Sequence, residues 1–271
     1  MLTLLLACTG PGSDTAADDT APPAQTDDTG PPGLDTDTGW TVVDQDCSGG
    51  SGWETGHGFM EIDGGSAYRF VPETGTDCSP LVFWGHGGNN AGTAMNSIWN
   101  DPLHTGLVRL VDELGIVLVV PGVEEGGDGV HEWGDEPERL NRLDGFVEEA
   151  LANADLDRNR VWFIGQSAGG HMSAYLGLYE LEPWTGVAVI SAGIGGYFDY
   201  PSVEPDPKLP FFVAHDPDDT VVPYSYSQQL VSDLIAHGHH FEFQDTWDMG
   251  GNGHGWAKGL SHEIVTWLLT L

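Results

Sequence analysis

From residue 47 onward the chain alternates short apolar runs with stretches whose apolar residues recur every three or four positions. The uninterrupted runs at 81–84, 116–120, 161–164, 187–190 and 211–214, with a shorter one at 241–243, predict strands buried on both faces. Between them, Leu103, Leu107, Leu110, Val111 and Leu114 fall on one helical face, capped by Asp101 with Pro102 in the first turn and stopped by Gly115. Leu140, Leu143, Phe146, Val147, Ala150 and Leu151 mark a second amphipathic helix, and further helices are predicted at about 168–180, 224–237 and 259–270. Two alternating segments, 58–62 and 67–71, flank Asp63-Gly64-Gly65, a hairpin signal. Continuous apolar strands separated by helices describe an α/β fold, a parallel sheet covered on both faces, with the hairpin extending one edge antiparallel. No internal repeat is visible, and residues 47–271 read as a single domain.

The pattern changes before residue 47. Residues 9–46 carry nine Asp, no Lys or Arg, and only Leu34, Trp40, Val42 and Val43 as large apolar side chains. Such a segment buries too little to offset its ordering entropy, so a disordered, self-repelling spacer is expected. Ahead of it, residues 1–8 read MLTLLLAC. The Leu-Leu-Ala-Cys ending resembles the lipobox of bacterial lipoproteins, which implies lipidation at Cys8, although a basic segment is missing and the apolar run is short for a signal peptide. With Cys8 set aside, Cys47 and Cys78 remain, at the two ends of the first β-rich stretch. In an exported protein an even number suggests a disulfide, whereas two unrelated thiols are the plainer alternative; two cysteines are too few for a thiolate zinc site.

Charge narrows the partners. Eight Lys and Arg face 42 Asp and Glu, a formal net charge of −34. Too few cations are present to neutralise a nucleic-acid backbone or to hold an anionic membrane surface. No apolar run reaches the roughly 18 residues of a spanning helix, so a lipid on Cys8 is the one membrane attachment expected.

The chemistry-bearing residues follow the C-terminal ends of predicted strands. Gly165-Gln166-Ser167-Ala168-Gly169-Gly170 leads from the strand at 161–164 straight into a helix. A serine on such a turn sits in strained backbone with its hydroxyl raised above the sheet, which requires small neighbours. An ordinary βα turn is the structural alternative. His86-Gly87-Gly88-Asn89 ends the strand at 81–84, where glycines let backbone N–H groups approach an oxyanion; the N–H of Gly88 (or Gly87) and that of Ala168 are the candidate donors. A tight turn with a structural His86 would leave the same trace. His215-Asp-Pro-Asp-Asp-Thr-Val-Val-Pro follows the strand at 211–214, and Gly-Gly-Asn-Gly-His254-Gly-Trp follows 241–243. The order Ser, Asp, His gives a nucleophile, a carboxylate and a base: Ser167, Asp219 and His254. Asp219 is preferred because it directly precedes Thr-Val-Val-Pro; Asp216 and Asp218 are expected to cap the turn or face solvent. His237, His239 and His240 are expected at the surface. His131-Glu132 lacks the second histidine of a zinc-protease helix.

These motifs together resemble the α/β-hydrolase superfamily, and within it the secreted polyhydroxybutyrate depolymerase, feruloyl esterase and acetyl xylan esterase-like group. The resemblance covers roughly residues 47–271 and rests on the early His-Gly-Gly, the Ser167 turn and its preceding strand, the Asp219 segment and Gly-His-Gly-Trp. It implies serine carboxylic-ester hydrolysis with no metal or organic cofactor, on small-molecule or polymeric esters, in an extracytoplasmic setting. A prolyl-oligopeptidase-type serine peptidase uses the same three residues but has a second domain for which this chain has no candidate. A non-catalytic binding lipoprotein is the remaining alternative. For substrate contact the candidates are Trp133 and Trp256, with Tyr197, Phe198 and Tyr200 nearby, all at the C-terminal rim of the sheet, where open α/β folds bind ligands. Flat rings there suit neutral aryl or short hydroxyalkanoyl esters, the segments at 122–137 and 191–209 leave room for only a small lid, and the surrounding negative charge disfavours anionic substrates. Loop packing is the plainer use of the same rings.

Overall fold

Eight strands form one sheet in the order β1-β2-β4-β3-β5-β6-β7-β8. The computed structural model describes residues 44–62, 65–88, 105–122, 133, 137–179, 182–195 and 206–271, all within one compact unit, Gly39–Leu271. Cys8, almost all of the acidic spacer, the 197–200 ring cluster and most of the 122–137 segment lie outside the described residues, as does the expected Asp101 cap. The strands are β1 (Gly56–Ile62), β2 (Gly65–Val71), β3 (Ser79–Gly85), β4 (Val117–Pro121), β5 (Leu156–Gln166), β6 (Gly186–Ile190), β7 (Phe211–Ala214) and β8 (Phe241–Gln244). The described helices are α1 (Leu107–Leu114), α2 (Pro137–Asn153), α3 (Ala168–Tyr179), α4 (Ser225–His237) and α5 (Leu260–Leu268).

As the hairpin signal predicts, β1 and β2 pair antiparallel and β2 adds antiparallel to β4; the other pairs run parallel. The period-two geometry of a strand divides the apolar runs between two cores. Leu81, Phe83, Val161 and Phe163 point to one, packed by α2, α3 and α4, while Val82, Trp84, Trp162 and Ile164 point to the other, packed by α1 and α5. Most of α3 is buried, consistent with its lack of a polar face. Two elements exceed their sequence signal. β5 begins at Leu156, five residues before the apolar run, because Asp155 and Asp157 tie its start to the segment around Cys47. β8 sits at the sheet edge with all four residues only half-buried, which explains its weak apolar signal.

That tie includes a covalent bond. Cys47 and Cys78 form a disulfide across a separation of 31 residues, with Cα atoms 5.0 Å apart. Asp155 reinforces it from beneath: Oδ1 accepts the Gly49 N–H and Oδ2 the Cys78 N–H. Among the described residues no helix is long and apolar enough to cross a membrane.

Candidate active site

At the C-terminal edge of the sheet, the end of β5 turns abruptly into α3. Ser167 holds the turn with φ at +54°, a left-handed conformation that a side chain adopts only when its surroundings impose it. The imposition comes from backbone crowding. A methyl group at Gly165 would lie 2.0 Å from the Gly169 carbonyl oxygen, and one at Gly169 would lie 2.2 Å from that of Gly85. The strand, the turn and the helix therefore meet largely through backbone, with the Ser173 hydroxyl also against Gly165. The Ser167 N–H is taken by the Ile190 carbonyl at 2.9 Å, and the His171 N–H bonds back to the Ser167 carbonyl at 2.9 Å.

The other two expected residues arrive from separate loops. Asp219 follows β7, its side chain fully shielded from solvent. Its Oδ1 accepts the backbone N–H groups of Val221 (2.7 Å) and Val222 (2.9 Å). His254 lies on the loop after β8. Here Gly253 is required: its φ is +73°, and a Cβ would meet the Asp219 backbone nitrogen at 2.4 Å. His254 Nδ1 stands 2.7 Å from Asp219 Oδ2, and Nε2 stands 2.9 Å from Ser167 Oγ. An ionised carboxylate only accepts, so Nδ1 carries the proton and Nε2 is left to accept from the serine hydroxyl. Ser167, His254 and Asp219, 87 and 35 residues apart in sequence, thus form one hydrogen-bonded chain.

Asp216 caps its turn, as expected, accepting the Asp218 N–H on Oδ1 and the Met249 N–H on Oδ2; Asp218 is exposed. Gln166, which carried no expectation, donates from Nε2 to the carbonyls of His254 (3.0 Å) and Gly255 (2.8 Å), pinning the histidine loop to the serine turn. His215, also without an assigned role, stands against Asp219 with Nε2 3.1 Å from Oδ2. His171 is buried beneath the serine turn with Nδ1 2.6 Å from the Gly193 carbonyl; burial, opposed by that bond, holds its pKa down to about 4. A lone histidine in a motif gives no periodic signal, so only the tertiary structure shows these contacts.

The His86-Gly87-Gly88 turn lies beside the serine. A Cβ at Gly87 would lie 3.4 Å from Ser167 Cβ, in ordinary van der Waals contact, which places this turn directly against the serine. The His86 carbonyl accepts two bonds, from Gly169 N–H (3.1 Å) and Trp133 Nε1 (2.8 Å), which fixes the peptide entering the two glycines. His86 itself is buried, with its pKa lowered by desolvation.

Two expectations of exposure need correction, at Trp133 and at His239. Trp133 is not an open ring at the rim: it is 6% exposed, packed on Phe163 and His86, and holds the His86 carbonyl. The His86 carbonyl has a second lone pair beyond the one that takes the Gly169 N–H, and the indole N–H occupies it. Trp256 is half-buried, edge-on to Trp84, and its Nε1 donates to Ser261 Oγ. His239 is likewise buried rather than at the surface, with Nδ1 3.0 Å from the Leu209 carbonyl, whereas His237 is exposed. Among the described residues no three His, Cys, Asp or Glu side chains gather as a metal-ligand set.

The strand order, with its antiparallel start and parallel remainder, defines the α/β-hydrolase fold. A family model described as phospholipase/carboxylesterase matches residues 135–258, a segment that contains Ser167, Asp219 and His254 but not the His86-Gly87-Gly88 turn. Among solved structures, a thermostable esterase superposes with a TM-score of 0.56 at 22% identity, covering 76% of this chain and 59% of its own. The Bacillus cereus carboxylesterase gives 0.53 at 19% identity over 79% of this chain and 93% of its own. An acetyl xylan esterase from Aspergillus awamori gives 0.57 at 12% identity over 79% and 100%. No curated protein sequence matches. The chain therefore has the α/β-hydrolase fold. Residues 135–258 are similar to the phospholipase/carboxylesterase family.

Proposed function

We propose that the protein is a serine carboxylic-ester hydrolase working through an acyl-enzyme, with Ser167 as nucleophile, His254 as base and Asp219 as the carboxylate that orients it. The observation that carries this reading is the unbroken chain of hydrogen bonds from Ser167 Oγ through the His254 ring to Asp219. As Oγ attacks the ester carbon, its proton passes to His254 Nε2 and the carbonyl oxygen becomes an oxyanion. Asp219 stabilises the imidazolium across 2.7 Å. Backbone N–H groups of Ala168 and Gly88 (or Gly87) are the donors assigned to the oxyanion, since α3 begins at Ala168 and the glycine turn is held rigid beside Ser167. Collapse of the intermediate expels the alkoxide, which takes the proton back from Nε2. Water, deprotonated by the same nitrogen, then attacks the acyl carbon, and Ser167 leaves reprotonated.

The substrate class follows from what surrounds this chain of bonds. A half-buried Trp256 two residues from the base and an acidic protein favour neutral short-acyl, aryl or hydroxyalkanoyl esters over anionic ones. An extracytoplasmic setting suits the Cys47–Cys78 disulfide, and lipidation at Cys8 would tether the enzyme through its spacer; incorporation of labelled fatty acid, lost in Cys8→Ser, tests the anchor. The function itself is tested by a hydrolysis panel of short aryl esters, feruloyl esters, a polyester, long-chain triglycerides and peptide amides. Turnover is expected on the short, aryl or hydroxyalkanoyl esters. Preference for amides or for long-chain triglycerides would overturn the substrate reading.

A further inference from the structure

We infer that His215 is a positioning residue for catalysis: a neutral imidazole that donates Nε2–H to the outer oxygen of Asp219 and so sets how strongly that carboxylate holds His254. The inference rests on the catalytic reading above. The Asp219 carboxylate faces four nitrogens and is fully shielded from solvent. Oδ1 is taken by Val221 and Val222, while Oδ2 is shared between His254 Nδ1 at 2.7 Å and His215 Nε2 at 3.1 Å. The Val222 carbonyl also stands 3.3 Å from His215 Nε2. A nitrogen that faces two acceptors is the one that carries the hydrogen in a neutral ring.

The charge state follows from the surroundings. His215 is fully buried, and desolvation lowers its pKa despite the opposing pull of Asp219 and the backbone carbonyls of Val222 and Ala192. The titratable and charged groups around the pair are His171 from α3, His254 from the loop after β8, and Tyr224, whose ring meets His215 edge-on at 5.6 Å before α4. Tyr224 donates to Asp245 beyond β8, and its hydroxyl titrates only at about 12. On the Asp219 loop, Asp216 is bound to backbone and Asp218 is exposed. Asp219 is therefore the only carboxylate among the described residues bonded to His215.

Two donors on one oxygen compete. With His215 present, Oδ2 spends part of its charge on a neutral N–H; without it, the full charge falls on His254. A charged-acceptor hydrogen bond has the strength to shift a neighbouring titration by roughly 0.5–1 pH unit. Replacing His215 by Phe should therefore move the acid limb of the kcat/KM profile upward by about that amount, and slacken Asp219 enough to lower kcat by roughly tenfold. KM should hold, because His215 touches no substrate. His215→Gln, which returns an N–H to the same oxygen, should restore the limb. A role in packing alone would lower Tm without moving the profile.

The decisive arms need no substrate. In wild-type protein with 15N-labelled histidine, the His215 ring should remain the neutral Nε2–H tautomer through the pH range in which His254 titrates. In His215→Phe the His254 ring should titrate higher than in wild type, and in His215→Gln at the wild-type position. An Nδ1–H tautomer at His215, or its protonation in step with His254, overturns the inference even if no variant folds. So does a folded His215→Phe protein with an unmoved His254. Failure to hydrolyse any ester would defeat the esterase reading and leave these ring measurements to decide the role of His215 on Asp219.

Discussion

Reducing the Cys47–Cys78 disulfide isolates one contribution to stability whose size the structure supplies. The bond closes 31 residues that include the β1–β2 hairpin and the approach to β3. In the chain-entropy picture a loop of that length stabilises the fold by roughly 3–4 kcal/mol, mainly by restricting the unfolded chain. The folded ends should stay in place without the bond. Ser48 Oγ donates to the Ala154 carbonyl and accepts from Leu156 N–H, while Asp155 holds Gly49 and Cys78 by their N–H groups. Reduction should therefore leave the active site assembled. For a domain of this size the loss corresponds to a fall in Tm of about 6–16 °C. The assay is thermal unfolding of protein purified from an oxidising compartment, with and without reductant, beside a Cys47→Ser/Cys78→Ser double variant. That variant should melt at the reduced temperature and ignore the reductant. An unchanged Tm on reduction, or intact mass showing two free thiols in the purified protein, would refute the reasoning.

Gly165→Ala should disrupt folding outright, because its methyl group would stand 2.0 Å from the Gly169 carbonyl oxygen, a backbone atom that cannot move aside as a side chain can; soluble protein of wild-type Tm would contradict that packing. Gln166→Leu removes both bonds to the histidine loop and should lower kcat by roughly tenfold with little change in KM, measured by steady-state kinetics on a hydrolysed ester. His171 predicts a pH dependence of stability. Its folded pKa, near 4, lies below the unfolded value of about 6.5, so between them the unfolded chain binds the extra proton and stability falls as pH drops through that window. Urea unfolding from pH 7 to 4 should show a loss of up to about 3 kcal/mol that a folded His171→Phe variant lacks; equal slopes in the two proteins would refute it.

How much of this could be read from sequence depended on whether the cause was local. The parallel strands were legible because burial on both faces leaves an unbroken apolar run, as at 116–120. The serine turn was legible because backbone crowding demands glycine at 165 and 169 whatever surrounds them. Asp219 is set apart from Asp216 and Asp218 by the residues after it, and its carboxylate accepts the backbone N–H groups of Val221 and Val222, bonds that any non-proline pair would supply and that therefore leave no mark in the sequence. Features that depend on distant partners leave no local mark. Trp133 looks like a rim residue until the His86 carbonyl, 47 positions away, claims its N–H. Gln166 fills a motif position that tolerates many residues, and its bonds cross 88 positions or more. His239 was expected outside because a helix–strand turn is usually exposed, yet the Leu209 carbonyl draws it inward.

The central claim, that Ser167 is a nucleophile activated by His254, is tested most directly by covalent labelling. A fluorophosphonate should modify wild-type protein once, and peptide mass analysis should place the adduct on Ser167. Ser167→Ala should take no label and His254→Ala should label several orders of magnitude more slowly, both with wild-type melting curves. Full labelling of Ser167→Ala, or an adduct mapped to any other residue, would contradict the account.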